Sequence, residues 1–413
     1  MKILIAVIFF ASAGFGIYLF SDDAARPVPS MPRVDTVRAP VAKLVVVAND
    51  PNPFVQAALR EFEAFVNTAI VNGQAPGAAV AIVKDTSIIF LKGFGLRDAR
   101  RPDSVNTQTV FRLGSVSKSV TATLAAVLVN QNIIHWDDPV IHYLPDFQLK
   151  SMEATRRLTL RHVLSHTIGL PYHAFTVMVE DHAPFDTLVN HLKDLNLIAQ
   201  PGELYSYQNV GFSLIGKVIE RATGQKLEDV FAEKLFAPLG MTQASASYQK
   251  IIANGNVAMP HIGRTSVAIS PDYYSVVPAG GLNASIQDMA VWLQALLGQR
   301  PAVLPDSSID QMLSPEIRAV TRNYNFRAWK PVRKSYYALG WRVITFRDDT
   351  VAYHGGYVNH YRCEVAVNRK KKIAIALLVN SAGMLADQGV PRFFGIYDRY
   401  LDSIHSWKPG RPL

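Results

Sequence analysis

Apolar residues recur at helical spacing from Pro53 to Asn72, at Phe54, Ala58, Phe62 and Phe65, and the pattern stops at Gly73, which predicts a first helix. Two β-type runs follow, Ala78–Val83 and Ser87–Leu91, split by the hairpin signal Lys84-Asp85-Thr86. From Ser119 to Val129 no charge appears on any side, and a helix apolar all round is a buried one. Helical patterns with glycine or proline stops then dominate: Leu160–His166 before Gly169, Val210–Ala222 before Gly224, and Leu227–Phe236 before Pro238 and Gly240. Another opens on the capping-box-like Ser285-Ile286-Gln287-Asp288 and runs to Leu297. Strand signals return after Tyr337, in Gly340–Phe346, Val351–His354, Tyr361–Val367 and Lys372–Val379, and a last helical stretch, Asp387–Ile404, is interrupted by Pro391. Strands at both ends with helices between predict an α/β (α+β) fold: one antiparallel sheet built from both chain ends, flanked by helices, with an inserted helical lobe. The expected boundaries are 51–408 for the domain, with a sheet lobe over 51–113 and 337–408 and a helical lobe over 114–336.

The 413 residues, 49% hydrophobic and 18% charged, suffice for a large core. The net charge of +9 raises nucleic acid as a partner, but Lys and Arg are dispersed, and the one run, Arg369–Lys372, reads as a solvated hairpin turn between apolar segments. No nucleic-acid partner is expected. The single cysteine, Cys363, excludes an internal disulfide and a four-cysteine zinc site; in its alternating surroundings it reads as a small buried hydrophobe. Lys2 is followed by eighteen uncharged residues, Ile3–Phe20, about 27 Å as a helix and enough to span a bilayer. Residues 1–20 are therefore expected to be an uncleaved anchor in the inner membrane, with the chain facing the periplasm or cell exterior. Secretion after cleavage near Ala11-Ser12-Ala13 is the alternative. Pro27, Pro29, Pro32 and Pro40 make 21–50 read as a tether.

Three polar islands carry candidate chemistry. Ser115 and Lys118, three apart on a helix, share one face with Cβ atoms about 5–6 Å apart. Lys118 stands at the mouth of the uncharged helix, where burial lowers an amine's pKa toward that of a usable base. Gly114 lets the chain turn sharply, leaving first-turn amides free to face a developing negative charge. The plain alternative is a serine N-cap beside a solvated lysine. Tyr207 and Asn209 point the same way in an extended segment; a phenol can pass protons, and an amide can hold a carbonyl or fix a lysine. A buried tyrosine followed by an asparagine cap is the competing reading. His354-Gly355-Gly356 ends a short strand, where two glycines mean either a close approach of backbone or ligand, or a simple turn.

Other sites fit less well. No Gly-x-Ser-x-Gly occurs. His162 and His166, with His173 nearby, have no glutamate between them in the manner of a zinc helix. Gly211–Lys217 spells Gly-x-x-x-x-Gly-Lys, but Val218 replaces the magnesium-binding hydroxyl and the stretch is an amphipathic helix.

In this order, Ser115-x-x-Lys118, Tyr207-x-Asn209 and His354-x-Gly356 resemble the three motifs of the penicillin-recognising serine hydrolases, the group of class C β-lactamases, DD-peptidases and related esterases. The likeness runs from about Phe54 to Asn380, through the stretches beginning at Phe111, Leu160, Tyr205 and Pro278. The resemblance implies an acyl-enzyme mechanism on amide or ester bonds. Ser115 would be the nucleophile, Lys118 and Tyr207 would share the proton work, and Asn209 would orient Lys118 and the substrate. The amides of Ser115 and Tyr357 would hold the oxyanion; Gly355, Gly356 and Tyr357 would border the substrate, and His354, counted with the catalytic residues, would shape the far wall and meet the leaving group. Neither cofactor nor metal is implied, and the partner is a small-molecule or peptide substrate. A β-lactam or a peptidoglycan D-amino-acid peptide is the first expectation, a carboxylesterase or D-aminopeptidase the alternative, and a non-catalytic cell-wall binding protein the alternative outside enzymes. Two departures stand out: Gly355 replaces a threonine whose hydroxyl helps bind a substrate carboxylate, and Ile168 replaces a frequent serine.

Overall fold

The computed structural model describes residues 45–319, 326, 328–347 and 349–409. Helix α1 (Pro53–Val71) precedes a hairpin of β1 (Gly77–Lys84) and β2 (Ser87–Gly95). After a long helical region come β3 (Ile317–Arg318), β4 (Lys334–Tyr337), β5 (Arg342–Thr345), β6 (Thr350–Val358), β7 (Tyr361–Asn368) and β8 (Ile373–Val379). Together they form one antiparallel sheet in the order β2-β1-β8-β7-β6-β5-β4-β3. The expected architecture is present: β1 from the N-terminal part pairs with β8 from the C-terminal part, Ala78 opposite Val379 through Lys84 opposite Ile373.

The central strands β1 and β8 are apolar on both faces up to Lys84 at the end of β1, because both sheet faces are covered. Ala79, Ala81, Val83, Ala374, Ala376 and Leu378 enter one core. Their alternates Ala78, Val80, Ile82, Ile373, Ile375 and Leu377 enter the other, against α1 and the C-terminal helix. α1 is started by Asn52, whose side-chain oxygen accepts from Phe54 N at 3.0 Å, with Pro53 at the first helical position.

The helical region supplies the inner cover. α2 (Ser117–Asn130) is buried on all sides from Ser117 to Leu128, as its uncharged sequence predicts. α3 (Asn209–Thr223) lies nearby, and α4 (Ile286–Leu296) starts with the expected capping box, Ser285 with Asp288. The C-terminal helix, α5 (Met384–Ser406), is not interrupted at Pro391. Its face Leu385, Val390, Phe393, Phe394, Ile396 and Tyr397 packs on the sheet, and that burial outweighs the roughly 3 kcal/mol proline penalty.

Three further differences have physical causes. β6 continues four residues past His354, through both glycines to Val358, because β7 pairs with it along that length. The edge strand β3 and the polar strand β4 beside it precede the point where strand signals become apolar. A two-stranded ribbon, Val110–Arg112 with Asn283–Ser285, ties the entry of α2 to the start of α4. The expected membrane anchor, and with it the membrane partner and the inner-membrane location, is corrected: among the described residues no helix is long and apolar enough to cross a membrane. Residues 1–20, which carried that expectation, lie outside the described residues.

Candidate active site

The ribbon delivers the chain to a turn at Gly114, where φ is 52°, and a 3-10 turn over Gly114–Val116 leads into α2. A Cβ on Gly114 would lie 2.8 Å from Tyr357 N, and one on Gly356 would lie 2.1 Å from Leu113 O and 3.0 Å from Ser115 N. Only glycines let this turn and β6 meet backbone to backbone, and the contact brings the Ser115 and Tyr357 segments together. β5 pairs with β6 only as far as Tyr353, so beyond it one edge of β6 is free to face the turn.

Lys118, wholly buried in the first turn of α2, has its Nζ 3.3 Å from Ser115 Oγ. It donates to Asn209 Oδ1 and to the carbonyl of Ala279, each at 2.8 Å. No carboxylate is among these partners. Burial, and secondly the charge of Arg342, push its pKa well below the ordinary lysine value. Asn209 reaches Lys118 from the first residue of α3, whose start is capped by Gln208, its side chain accepting from Val210 N at 3.0 Å.

Tyr207, the last extended residue but one before α3, is buried with its hydroxyl directed to Ser115. Lys118 Nζ lies 4.6 Å from its ring centroid. His166 packs against the ring at 4.2 Å and His173 stacks on it at 5.3 Å. His166 Nδ1 accepts from Gln208 N at 3.2 Å, which leaves the hydrogen on Nε2, and burial keeps this imidazole neutral. Burial raises the Tyr207 phenol above its ordinary value, although Arg342 and the Ser115 hydroxyl pull the other way. The Arg342 guanidinium lies 5.5 Å from the Tyr207 centroid and 5.8 Å from that of Tyr337, and donates to the Tyr205 hydroxyl at 3.3 Å.

His354 is fully buried behind these rings. Its Nδ1 is 2.9 Å from Gly355 O, an obligate acceptor, so Nε2 accepts from the Tyr337 hydroxyl at 3.0 Å. Burial, then the nearby charges of Arg342 and Lys118, push its pKa well below the usual histidine range. Gly355 faces the other side of the sheet, where an added Cβ would lie 2.7 Å from Glu364 Oε2. Glu364 is itself buried and held by the Tyr353 hydroxyl and by Arg362 Nη2, the latter at 2.6 Å. Tyr357 is half exposed at the cleft side.

Ser115, Lys118, Tyr207 and Asn209 thus converge in direct contact, Gly356 and Tyr357 meet the Ser115 turn through backbone, and His354 stands one layer behind. Sequence reasoning missed Arg342, Tyr337 and the Ala279 carbonyl. The available signal was an arginine between Trp341 and Val343 in an otherwise apolar strand.

With this fold and site the chain belongs to the Beta-lactamase family, whose model matches residues 55–392. It is similar to an unguisins hydrolase, ungD', of Aspergillus campestris, 28% identical over 83% of this chain and 65% of that one. A second, ungD of Aspergillus violaceofuscus, is 26% identical over 78% of this chain and 61% of the relative. Protein flp of Staphylococcus aureus is 22% identical over 78% of this chain and 62% of its own. The chain therefore spans a little under two thirds of each of these relatives. An octameric penicillin-binding protein homologue from Pyrococcus abyssi shares the fold, with a TM-score of 0.71, 24% identity and coverage of 84% of this chain and 77% of that one. Members of this family are generally serine hydrolases.

Proposed function

We propose that this chain hydrolyses an amide or ester bond through an acyl-enzyme on Ser115. The observation that carries the reading is the environment of Lys118. A neutral amine has two N–H donors, and both are spent on groups that only accept, Asn209 Oδ1 and Ala279 O. The lone pair is left for the Ser115 hydroxyl, 3.3 Å away. Lys118 takes that proton as Oγ bonds to the substrate carbonyl carbon, and the carbonyl oxygen gains its charge between the amides of Ser115 and Tyr357. Tyr207, whose raised pKa keeps it protonated, hands its proton to the leaving nitrogen or oxygen as the bond to carbon breaks, and is reprotonated from Lys118. Water then releases the acyl group by the reverse traffic. His354 holds Tyr337 in place and meets no substrate.

The lack of a side-chain hydroxyl at Gly355 favours substrates without a free carboxylate beside the scissile bond, and so a neutral amide or ester over a β-lactam or a D-amino-acid terminus. That the Aspergillus relatives are named hydrolases supports the reaction class. Gel labelling with a fluorophosphonate and, separately, a fluorescent penicillin tests both parts. The expected result is fluorophosphonate labelling that disappears in Ser115→Ala, with far weaker penicillin labelling. Equal labelling by penicillin would overturn the substrate preference, and labelling by neither would favour a non-catalytic binding protein.

A further inference from the structure

A separate cavity of about 740 Å³ lies between α5 and the β5–β6 end of the sheet. Val351 lines it, whereas the candidate site begins at the opposite end of the same strand. Six residues of strand from Val351 to Tyr357 separate the two by about 20 Å. The cavity also faces the core that contains Val351 and Tyr353, not the one against α2.

Its wall is aromatic. The Trp329 ring lies 6.0 Å from Phe346 and 5.7 Å from Phe394, centroid to centroid. α5 leaves the space open at Gly395, where an added Cβ would meet nothing within 4 Å. A glycine inside a helix costs up to about 1 kcal/mol relative to alanine, and here it leaves room rather than a close contact. One end is a charge group: Lys371 bridges Asp349 and Asp398 at 2.6 Å each, and Lys330 also pairs with Asp398. Both carboxylates of the lining are thereby matched by lysines. The lining adds Arg333, Arg347 and Lys370, and among the described residues neither Arg333 nor Arg347 makes an ion pair.

A volume within the ordinary range for small-molecule sites, an aromatic wall and an excess of guanidinium groups define one ligand chemistry. We infer that this cavity binds an amphiphile with an anionic head, the apolar chain against Trp329, Phe346 and Phe394 and the head at Arg333 and Arg347. Guanidinium forks suit carboxylate and phosphate alike, so the ligand is a fatty carboxylate or a lipid phosphate.

Calorimetric titration of the full chain with dodecanoate, dodecyl phosphate and dodecyltrimethylammonium, each below its micelle concentration, tests this. The expected result is one-to-one binding of at least one anion, with the tighter of the two identifying the head group, and binding of the cation weaker by roughly tenfold or more. Gly395→Leu fills the space with a better helix former, so it should keep the unfolding temperature while weakening the anion by roughly tenfold. The double variant Arg333→Gln, Arg347→Gln should weaken the anions and spare the cation. Equal affinity for the cation, no binding of either anion, or unchanged anion affinity in both variants overturns the inference.

Discussion

Two lysines on opposite sides of the sheet, Lys118 wholly buried and Lys371 partly, have opposite fates. Lys118 touches a serine hydroxyl, an amide oxygen and a backbone carbonyl, all neutral, and its pKa falls well below the ordinary value. Lys371 is partly buried, which by itself lowers the pKa, but two carboxylates at 2.6 Å reverse the direction and raise it. Burial is common to both, so the formal charge of the nearest neighbours decides. A buried lysine given carboxylates is a structural cation. One given only neutral acceptors, with Arg342 close by, has the environment that the proposed mechanism requires of a base.

The sharpest way to break this contrast is to remove each amine in turn. Lys118→Met should lower kcat/KM by roughly 10³-fold with the fold intact. Lys371→Met should leave kcat/KM within a factor of a few and lower stability by about 2 kcal/mol in denaturant unfolding, because Asp349 loses its ion pair. The raised pKa of Lys371 means that its contribution is fully present below the unfolded lysine value and is lost only as pH rises through the folded one. Gly356→Ala puts a methyl 2.1 Å from Leu113 O; displacing the Ser115 turn from Tyr357 should cost about 10² to 10³ in kcat. Tyr207→Phe keeps the ring between His166 and His173 and removes only the proton donor, for a loss of roughly 10²-fold in kcat. The smallest effect is a shift. Lys118 must be neutral to act, so activity falls as pH drops through its pKa. Arg342 lowers that pKa, and Arg342→Gln should move the acid limb of kcat/KM to higher pH.

The antiparallel sheet from both chain ends was legible because β1 and β8 are apolar on both faces, and α2 because it lacks charge. Ser115, Lys118, Tyr207 and Asn209 were legible as polar islands in apolar surroundings. Arg342 was not, since its importance depends on β5 beginning beside Tyr205 and Tyr207, a tertiary fact with no local signature. Pro391 misled for the converse reason: its local penalty is real, but the packed face of α5 overrides it. His354 looked like a site wall because its neighbours are glycines, yet in β6 it points inward to Tyr337 while Gly355 faces Glu364.

The rate of Ser115 labelling by fluorophosphonate, followed as a function of pH in the wild-type chain and in Lys118→Met, tests most directly whether a neutral amine at 118 activates the serine. The wild type should label at a rate that is level near neutrality and falls at acid pH with a single titration. The variant should label at least about a hundredfold more slowly across that range. Equal rates in the two proteins, or a wild-type rate indifferent to acid, would contradict the account.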